Sequence, residues 1–164
     1  MGWWKRVEAR LRHRRRNRSP NMPQFGRIAL PVWYRAEMIV GSGVDMVEIA
    51  RIAEVLARYG DRFCQRIYLP GEISYCPRKR NAAESLAAPL AAKEAAAKAF
   101  GTGIQAGIGW RDIEVVRAPS GRPSLVFHGR AAVVADRLGV RNAVISLTHT
   151  RTHALAQVLL EDES

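Results

Sequence analysis

A chain of 164 residues with 48% hydrophobic and 25% charged side chains suits one compact domain of ordinary soluble composition, long enough to bury a hydrophobic core. The formal net charge of +11 invites a nucleic-acid reading, but residues 1–37 hold ten Lys/Arg against only Glu8 and Glu37, leaving the remainder at +3. A mildly basic body suits an anionic small molecule or an acidic protein partner as well as nucleic acid.

Other classes are excluded by pattern. Cys64 and Cys76 provide neither a disulfide framework nor zinc-ligand spacing, and read as buried or half-buried free thiols in a reducing compartment. No apolar run approaches the ~20 residues needed to cross a bilayer. The basic start is not followed by an apolar core, so a secretory signal is not expected either. The expected address is the cytoplasm.

Residues 1–18 are MGWWKRVEARLRHRRRNR, with Trp3, Trp4, Val7 and Leu11 on one side of a possible basic helix. Two readings stand: attachment to an anionic membrane or nucleic acid, or a disordered extension upstream of the true start codon. Met38, directly before the strand-like MIVGSGVD, is where a domain spanning 38–164 would begin. Residues 19–37 contain Pro20, Pro23, Gly26 and Pro31 and read as a linker. Residue 6 is Arg, which fails the myristoylation pattern.

Sheet and helix signals then alternate. Residues 38–45 read as a strand, and Val47 to Tyr59 as a helix with Val47, Ile49, Ile52, Val55 and Leu56 at helical spacing and Gly60 as its stop. Residues 61–76 suggest one or two short helical pieces broken at Pro70-Gly71. Ala82 to Phe100 is alanine-rich and strongly helix-forming, closed by Gly101. Residues 111–117 and 123–128 alternate as strands around a turn at Ser120-Gly121. Ala131 to Leu138 reads as a helix ending at Gly139, and Val144–Thr148 and Ala154–Leu160 as strands separated by HTRTH. Helices interleaved with adjacent strand pairs predict an α+β domain.

Three stretches carry chemically capable residues. The first, GSGVD at 41–45, lacks the third glycine of a dinucleotide fingerprint, because position 46 is Met. Asp45 is then either the N-cap of a helix starting at Met46 or a rigidly aimed metal ligand at a strand end. The second is AAKEAAAKAFGTG at 91–103, where Glu94 and Lys98 are four apart and share a helix face. By itself EAAAK is a generic helix former. With Lys93 before it and a glycine-bracketed turn after it, the helix could hold a metal and the phosphates it bridges. The third is ISLTHT at 145–150. His149 and His153 have metalloprotease spacing, but Thr150 stands where the general-base Glu belongs. No G-x-S-x-G elbow occurs, so a serine hydrolase is not supported.

In combination and order these elements resemble the holo-[acyl-carrier-protein] synthase family of 4′-phosphopantetheinyl transferases. Gly43-Val44-Asp45 matches its G-x-D, Lys93 to Lys98 its K-E-x-x-x-K helix, and Ser146 to Thr150 its Ser-x-x-His-Thr element. MIVGSGVDMVEIARI, Arg62-Phe63, GTGI, WRDIEV and GRP agree, so that the likeness spans about residues 38–162. The resemblance implies the family's fold, an antiparallel sheet with a long packed helix. It also implies transfer of 4′-phosphopantetheine from coenzyme A to a serine of apo acyl carrier protein, with adenosine 3′,5′-bisphosphate as the other product.

On that resemblance Asp45 and Glu94 hold Mg²⁺ and Lys98 contacts the phosphates. Gly101, Gly103, Pro123, His149 and Thr150 line the coenzyme A site, and Arg51, Arg62 and Arg66 meet the acidic carrier protein. A homotrimer with active sites between subunits is implied, as is a role in fatty-acid synthesis. The general base is left open between Glu94 and a water it orients. Two rivals remain: a relative that binds coenzyme A or a carrier without transfer, and nucleic-acid binding through the basic extension.

One departure stands out. Pro89-Leu90 replaces the family's Arg-Phe before Ala-Ala-Lys-Glu. Proline inside a helix costs ~3 kcal/mol outside the first turn, so a kink, or a restart with Ser85 or Ala88 at the entry, is expected. The substitution Pro89→Arg is expected to raise turnover; an unchanged or lower rate in a carrier-modification assay would count against a lost phosphate or intersubunit contact.

Overall fold

The computed structural model describes residues 39–75, 82–104 and 107–162. The basic extension, the Met38 start and Cys76 lie outside the described residues. In chain order the elements are β1 (Ile39–Glu48), α1 (Ile49–Tyr59), α2 (Asp61–Ile67), α3 (Pro70–Tyr75), α4 (Ala82–Ala99), a 3₁₀ turn (Trp110–Asp112), β2 (Ile113–Arg117), β3 (Pro123–Phe127), α5 (Gly129–Arg137), β4 (Val140–His149) and β5 (His153–Asp162). β1, β5 and β4 form an antiparallel sheet in that order, and β2 and β3 form a separate hairpin. The expected α+β class is what forms.

The larger sheet has one dry face. Along β1, Gly43, Asp45 and Val47 are buried while Val44, Met46 and Glu48 are exposed. Along β5, Ala154, Ala156, Val158 and Leu160 are buried in the same alternation. α4 packs on this face, and small residues allow it to come close. A Cβ built on Gly41 would lie 2.2 Å from the Ala99 carbonyl oxygen, and one on Gly43 would lie 2.0 Å from that of Ala95. The two glycines are therefore a packing requirement, since no larger residue leaves room for the helix backbone.

α4 is apolar almost all round, which marks a buried helix rather than a surface one. It also runs without interruption through Pro89, so the expected restart at Ser85 or Ala88 does not occur. Buried packing on every side outweighs the proline's local penalty there.

Three further expectations are corrected. β1 continues to Glu48 instead of ending at Asp45, because residues 46–48 pair with 153–155 of β5. α1 consequently begins at Ile49 with Glu48 before it, so Asp45 is not a helix N-cap. Val47, read as the first helical apolar position, is an inward strand residue. The second helical break falls at Tyr68-Leu69, and Pro70 opens α3, the position where a missing N–H costs nothing. β4 begins four residues earlier than its apolar run, because an edge strand tolerates the polar Arg141 and Asn142.

The other side of α4 is tied by a buried ion pair. Lys93, with 0% exposure, donates to Glu72 Oε2 at 2.9 Å, to the Trp110 carbonyl at 3.1 Å and to the Ile113 carbonyl. Glu72 in turn accepts from the Leu69 amide at 2.8 Å, closing the start of α3, and from the Val115 amide at 3.1 Å. This network joins α3, α4, the 3₁₀ turn and β2. Lys93 is therefore a structural cation and not a phosphate ligand beside Lys98, as the paired lysines had suggested; desolvation pulls its pKa down and Glu72 opposes that.

Because the Gly43 contact is with rigid helix backbone, Gly43→Ala is expected to destabilise the fold by about 1–3 kcal/mol or more. Chemical denaturation checks this, and an unchanged midpoint would mean that β1 and α4 can separate without cost.

Candidate active site

The close approach of β1 and α4 sets the side chains that follow Gly43 against the helix. Asp45, two residues on and on the same inward face, is only 8% exposed. Its Oδ1 accepts from Lys98 Nζ at 2.7 Å, and the same ammonium donates to the Val44 carbonyl at 3.2 Å. Oδ2 is buried, and among the described residues no hydrogen-bond donor lies against it. The neighbouring group is the half-buried Glu94 carboxyl, one helical turn before Lys98.

Two carboxyl groups thus share one confined space. Burial, then a hydrogen bond shared with the Asp45 carboxyl, then the Asp45 charge push the Glu94 pKa up from 4.5 to about 7. Lys98 and Arg51 pull it back only in part. Lys98 is held protonated by Asp45 but has 54% of its side chain exposed, so its charge can turn toward a ligand.

A divalent cation fits this arrangement: it would replace the shared proton and satisfy the orphaned Oδ2. Among the described residues no group of three or more His, Cys, Asp or Glu side chains converges. Two carboxylates would leave most positions for phosphate oxygens and water, which is the coordination small Mg²⁺ prefers.

The C-terminal end of α4 completes one wall. Gly101 and Gly103 take left-handed φ values of 74° and 66°, and their amides bond back to the Lys98 and Ala97 carbonyls at 2.9 and 3.0 Å. The turn this makes carries Thr102, whose Oγ1 is buried and has no hydrogen-bond partner among the described residues. Glu94, Lys98, Thr102, Gly103, Ile104 and Trp110 line a depression of about 480 Å³. A second depression of about 390 Å³ starts at the same Glu94 and Trp110 and extends past Arg51 to Val55, Phe63 and Leu90. Val55 and Phe63 also line an adjoining groove that carries Arg62 and Arg66.

The structure therefore brings Asp45, Glu94, Lys98, Gly101 and Gly103 together, with Arg51 at the margin and Arg62 and Arg66 further along the same surface. It does not bring the other expected residues to them within one chain. His149 Nδ1 lies 3.2 Å from Glu84 Oε1, at the opposite end of α4. Glu84 and Glu94 are ten helical positions apart, roughly 15 Å along the axis. Thr150 accepts from the Thr152 and His153 amides inside the β4–β5 turn, and Pro123 opens β3 opposite Arg117. Sequence reasoning assigned no role to Trp110 and gave Thr102 none of its own. The signal for Trp110 was its place at the head of WRDIEV, one of the stretches that agree with the family.

Known proteins that resemble this chain fall in one family. The family described as the 4′-phosphopantetheinyl transferase superfamily matches residues 41–157. The holo-[acyl-carrier-protein] synthase of Koribacter versatilis is 57% identical over 125 residues, covering 76% of this chain and all of the relative. That of Nitratidesulfovibrio vulgaris is 52% identical over 124 residues, covering 76% and 99%. Among solved structures, the holo-[acyl-carrier-protein] synthase of Neisseria meningitidis superimposes with a TM-score of 0.69 at 32% identity, covering 76% of this chain and all of that one. The Helicobacter pylori enzyme, solved in complex with coenzyme A, gives 0.65 at 29% identity, covering 73% and 98%.

The chain belongs to the 4′-phosphopantetheinyl transferase superfamily. Within that superfamily, the relatives it matches over their whole length are holo-[acyl-carrier-protein] synthases.

The raised Glu94 carboxyl has a consequence for stability without divalent cations. The folded protein holds this proton more tightly than the unfolded chain, so the Glu94 contribution to stability falls as pH rises from 4.5 to about 7 and is level above that. Glu94→Gln removes the dependence. The advantage of the variant over the parent in metal-free thermal melts is therefore expected to be small at acid pH and to grow up to about pH 7. A constant difference across that window would show that Glu94 is not the perturbed group.

Proposed function

We propose that the cluster of Asp45, Glu94 and Lys98 is the catalytic centre of a transferase that moves 4′-phosphopantetheine from coenzyme A to a serine of apo acyl carrier protein. The serine oxygen forms a bond to the pantetheine-bearing phosphorus, and the phosphoanhydride breaks to release adenosine 3′,5′-bisphosphate. The hydroxyl proton is lost as the new ester forms. The observation that carries this reading is the buried, donor-less Asp45 Oδ2 facing a second carboxyl beside an exposed lysine, on a chain of this superfamily.

Asp45 and Glu94 would hold Mg²⁺, which when bound neutralises charge on the pyrophosphate as its bond breaks. Lys98 binds a phosphate oxygen, and the 101–103 turn with the Thr102 hydroxyl receives the donor next to it. Arg51, Arg62 and Arg66 lie exposed along the route from Glu94 to the adjoining groove, where they suit an acidic carrier surface. The expected setting is fatty-acid synthesis in the cytoplasm; among the described residues no helix is long and apolar enough to cross a membrane.

His149, Thr150 and Pro123 take their expected place at coenzyme A only if they come from a neighbouring copy in a homotrimer. The outer face of the larger sheet supports such assembly. Val44 and Met46 are 50% and 61% exposed there; Leu155 pairs with Met46, and Leu159 pairs with Val144 of β4 on the same face, with Gln157 opposite Val44. Burying this stripe against another copy removes apolar area from water.

Incubation with apo carrier protein, coenzyme A and Mg²⁺ is expected to add the phosphopantetheine mass to the carrier. Asp45→Ala or Glu94→Ala is expected to lower kcat/KM by on the order of 10²–10³-fold, the range for loss of a preorganised electrostatic group. No mass gain with the parent protein would leave a carrier-binding relative as the better reading. Sedimentation is expected to give a three-chain particle that Val44→Lys dissociates with loss of activity; a fully active monomer would rule the trimer out.

A further inference from the structure

Two depressions meet at the candidate centre, and among the described residues only Glu94 and Trp110 line both. One contains Lys98, Thr102 and the glycine turn, groups suited to phosphate. The other leads past Arg51 toward the groove bearing Arg62 and Arg66. On the transferase reading above, on which this inference rests, the donor occupies the first and the carrier serine arrives through the second. The transferred group therefore crosses between them at Glu94 and Trp110.

Glu94 is accounted for by its charge. Trp110 is not, and its placement is unusually constrained for a residue in a single 3₁₀ turn, which has little rigidity of its own. Lys93 Nζ donates to the Trp110 carbonyl at 3.1 Å while pinned to Glu72 at 2.9 Å. Asp112 closes the turn from the other end, its Oδ2 accepting from the Gly109 amide at 2.8 Å and its carbonyl from the His128 amide at 2.7 Å. The backbone that carries the half-buried Trp110 side chain is thus fixed by a fully buried ammonium that reaches no ligand-accessible surface. A pantetheine arm, with methylenes, a gem-dimethyl group and amides, matches the mixed apolar and polar character of an indole wall.

We propose that Trp110 is the wall against which the pantetheine arm lies as it passes from the donor depression to the acceptor depression, and that Lys93, with Glu72, is the positioning residue that holds this wall. Lys93 then serves the site through Trp110 and not through phosphate.

The test uses the full chain with Trp3, Trp4 and Trp33 changed to Phe, so that Trp110 is the sole indole. With Mg²⁺ present, coenzyme A is expected to shift Trp110 emission, with half-saturation near its KM. Adenosine 3′,5′-bisphosphate, which lacks the arm, is expected to leave it unchanged. Equal responses to both, or none to coenzyme A, would overturn the proposal. Trp110→Ala is expected to lower kcat/KM for coenzyme A about tenfold or more and Trp110→Phe to restore most of it, as for loss of an apolar contact.

Replacing the buried pair by apolar residues, Lys93→Met with Glu72→Leu, keeps its volume but takes these partners from the Leu69 and Val115 amides and the Trp110 and Ile113 carbonyls, so a cooperative thermal melt first checks its fold, and the Trp110 variants decide the proposal if it fails. This double variant is expected to lose the emission response and to resemble Trp110→Ala in kcat/KM. Retention of parental kcat/KM would remove Lys93 from the proposal, and parental activity in Trp110→Ala would remove all of it. If the parent protein fails to modify the carrier at all, the transferase reading falls and this inference falls with it.

Discussion

The distance between β1 and α4 is the constraint on which the site depends. Gly43 has no Cβ, and the Ala95 carbonyl lies where one would be. Backbone-to-backbone packing of this kind fixes both the spacing and the rotation of the helix over the strand. Asp45, two residues further along the same inward face, then has to meet the helix at Glu94 and Lys98. A bulkier residue at 43 would move a carboxylate away from its partners as surely as it would cost stability.

The rotation of α4 is held from its other side by Lys93. Lys93 and Glu94 are adjacent in sequence, but consecutive helical positions point about 100° apart. One therefore enters the dry contact with Glu72, Trp110 and Ile113, while the other faces Asp45. A buried ion pair contributes little net stability compared with apolar packing, yet losing one partner is costly. Its use here is better described as geometric: three elements and the Trp110 turn are referred to a single ammonium.

The candidate cluster is left unsatisfied by contrast. Among the described residues Asp45 Oδ2 and Thr102 Oγ1 are buried without partners, and Glu94 retains a proton well above the ordinary carboxylate range. Native interiors pair nearly all such groups, so a concentration of exceptions beside one exposed lysine points to a ligand that supplies the missing charge and donors. The scaffold around Lys93 satisfies its polar groups and the site does not. That contrast separates framework from function within a single helix.

Much of this was legible in the chain itself. Alternating apolar strands, an alanine-rich helix and turn glycines determine the α+β class, because local periodicity needs no distant partner to be read. The ordered set of Asp45, Glu94, Lys98 and the 101–103 turn marks the position of the candidate site, through its resemblance to a family whose motifs it shares. Local reading failed where a distant segment decides. Met46 to Glu48 became strand because β5 offers them a ladder, Pro89 stayed helical because its surroundings are buried, and Lys93 turned inward because Glu72 waits there. Tertiary structure alone placed Trp110 between two depressions and set His149 at the far end of α4. The physical reason is the same in each case: burial, register and charge pairing are properties of residues distant in sequence, and only the folded chain brings them within reach of one another.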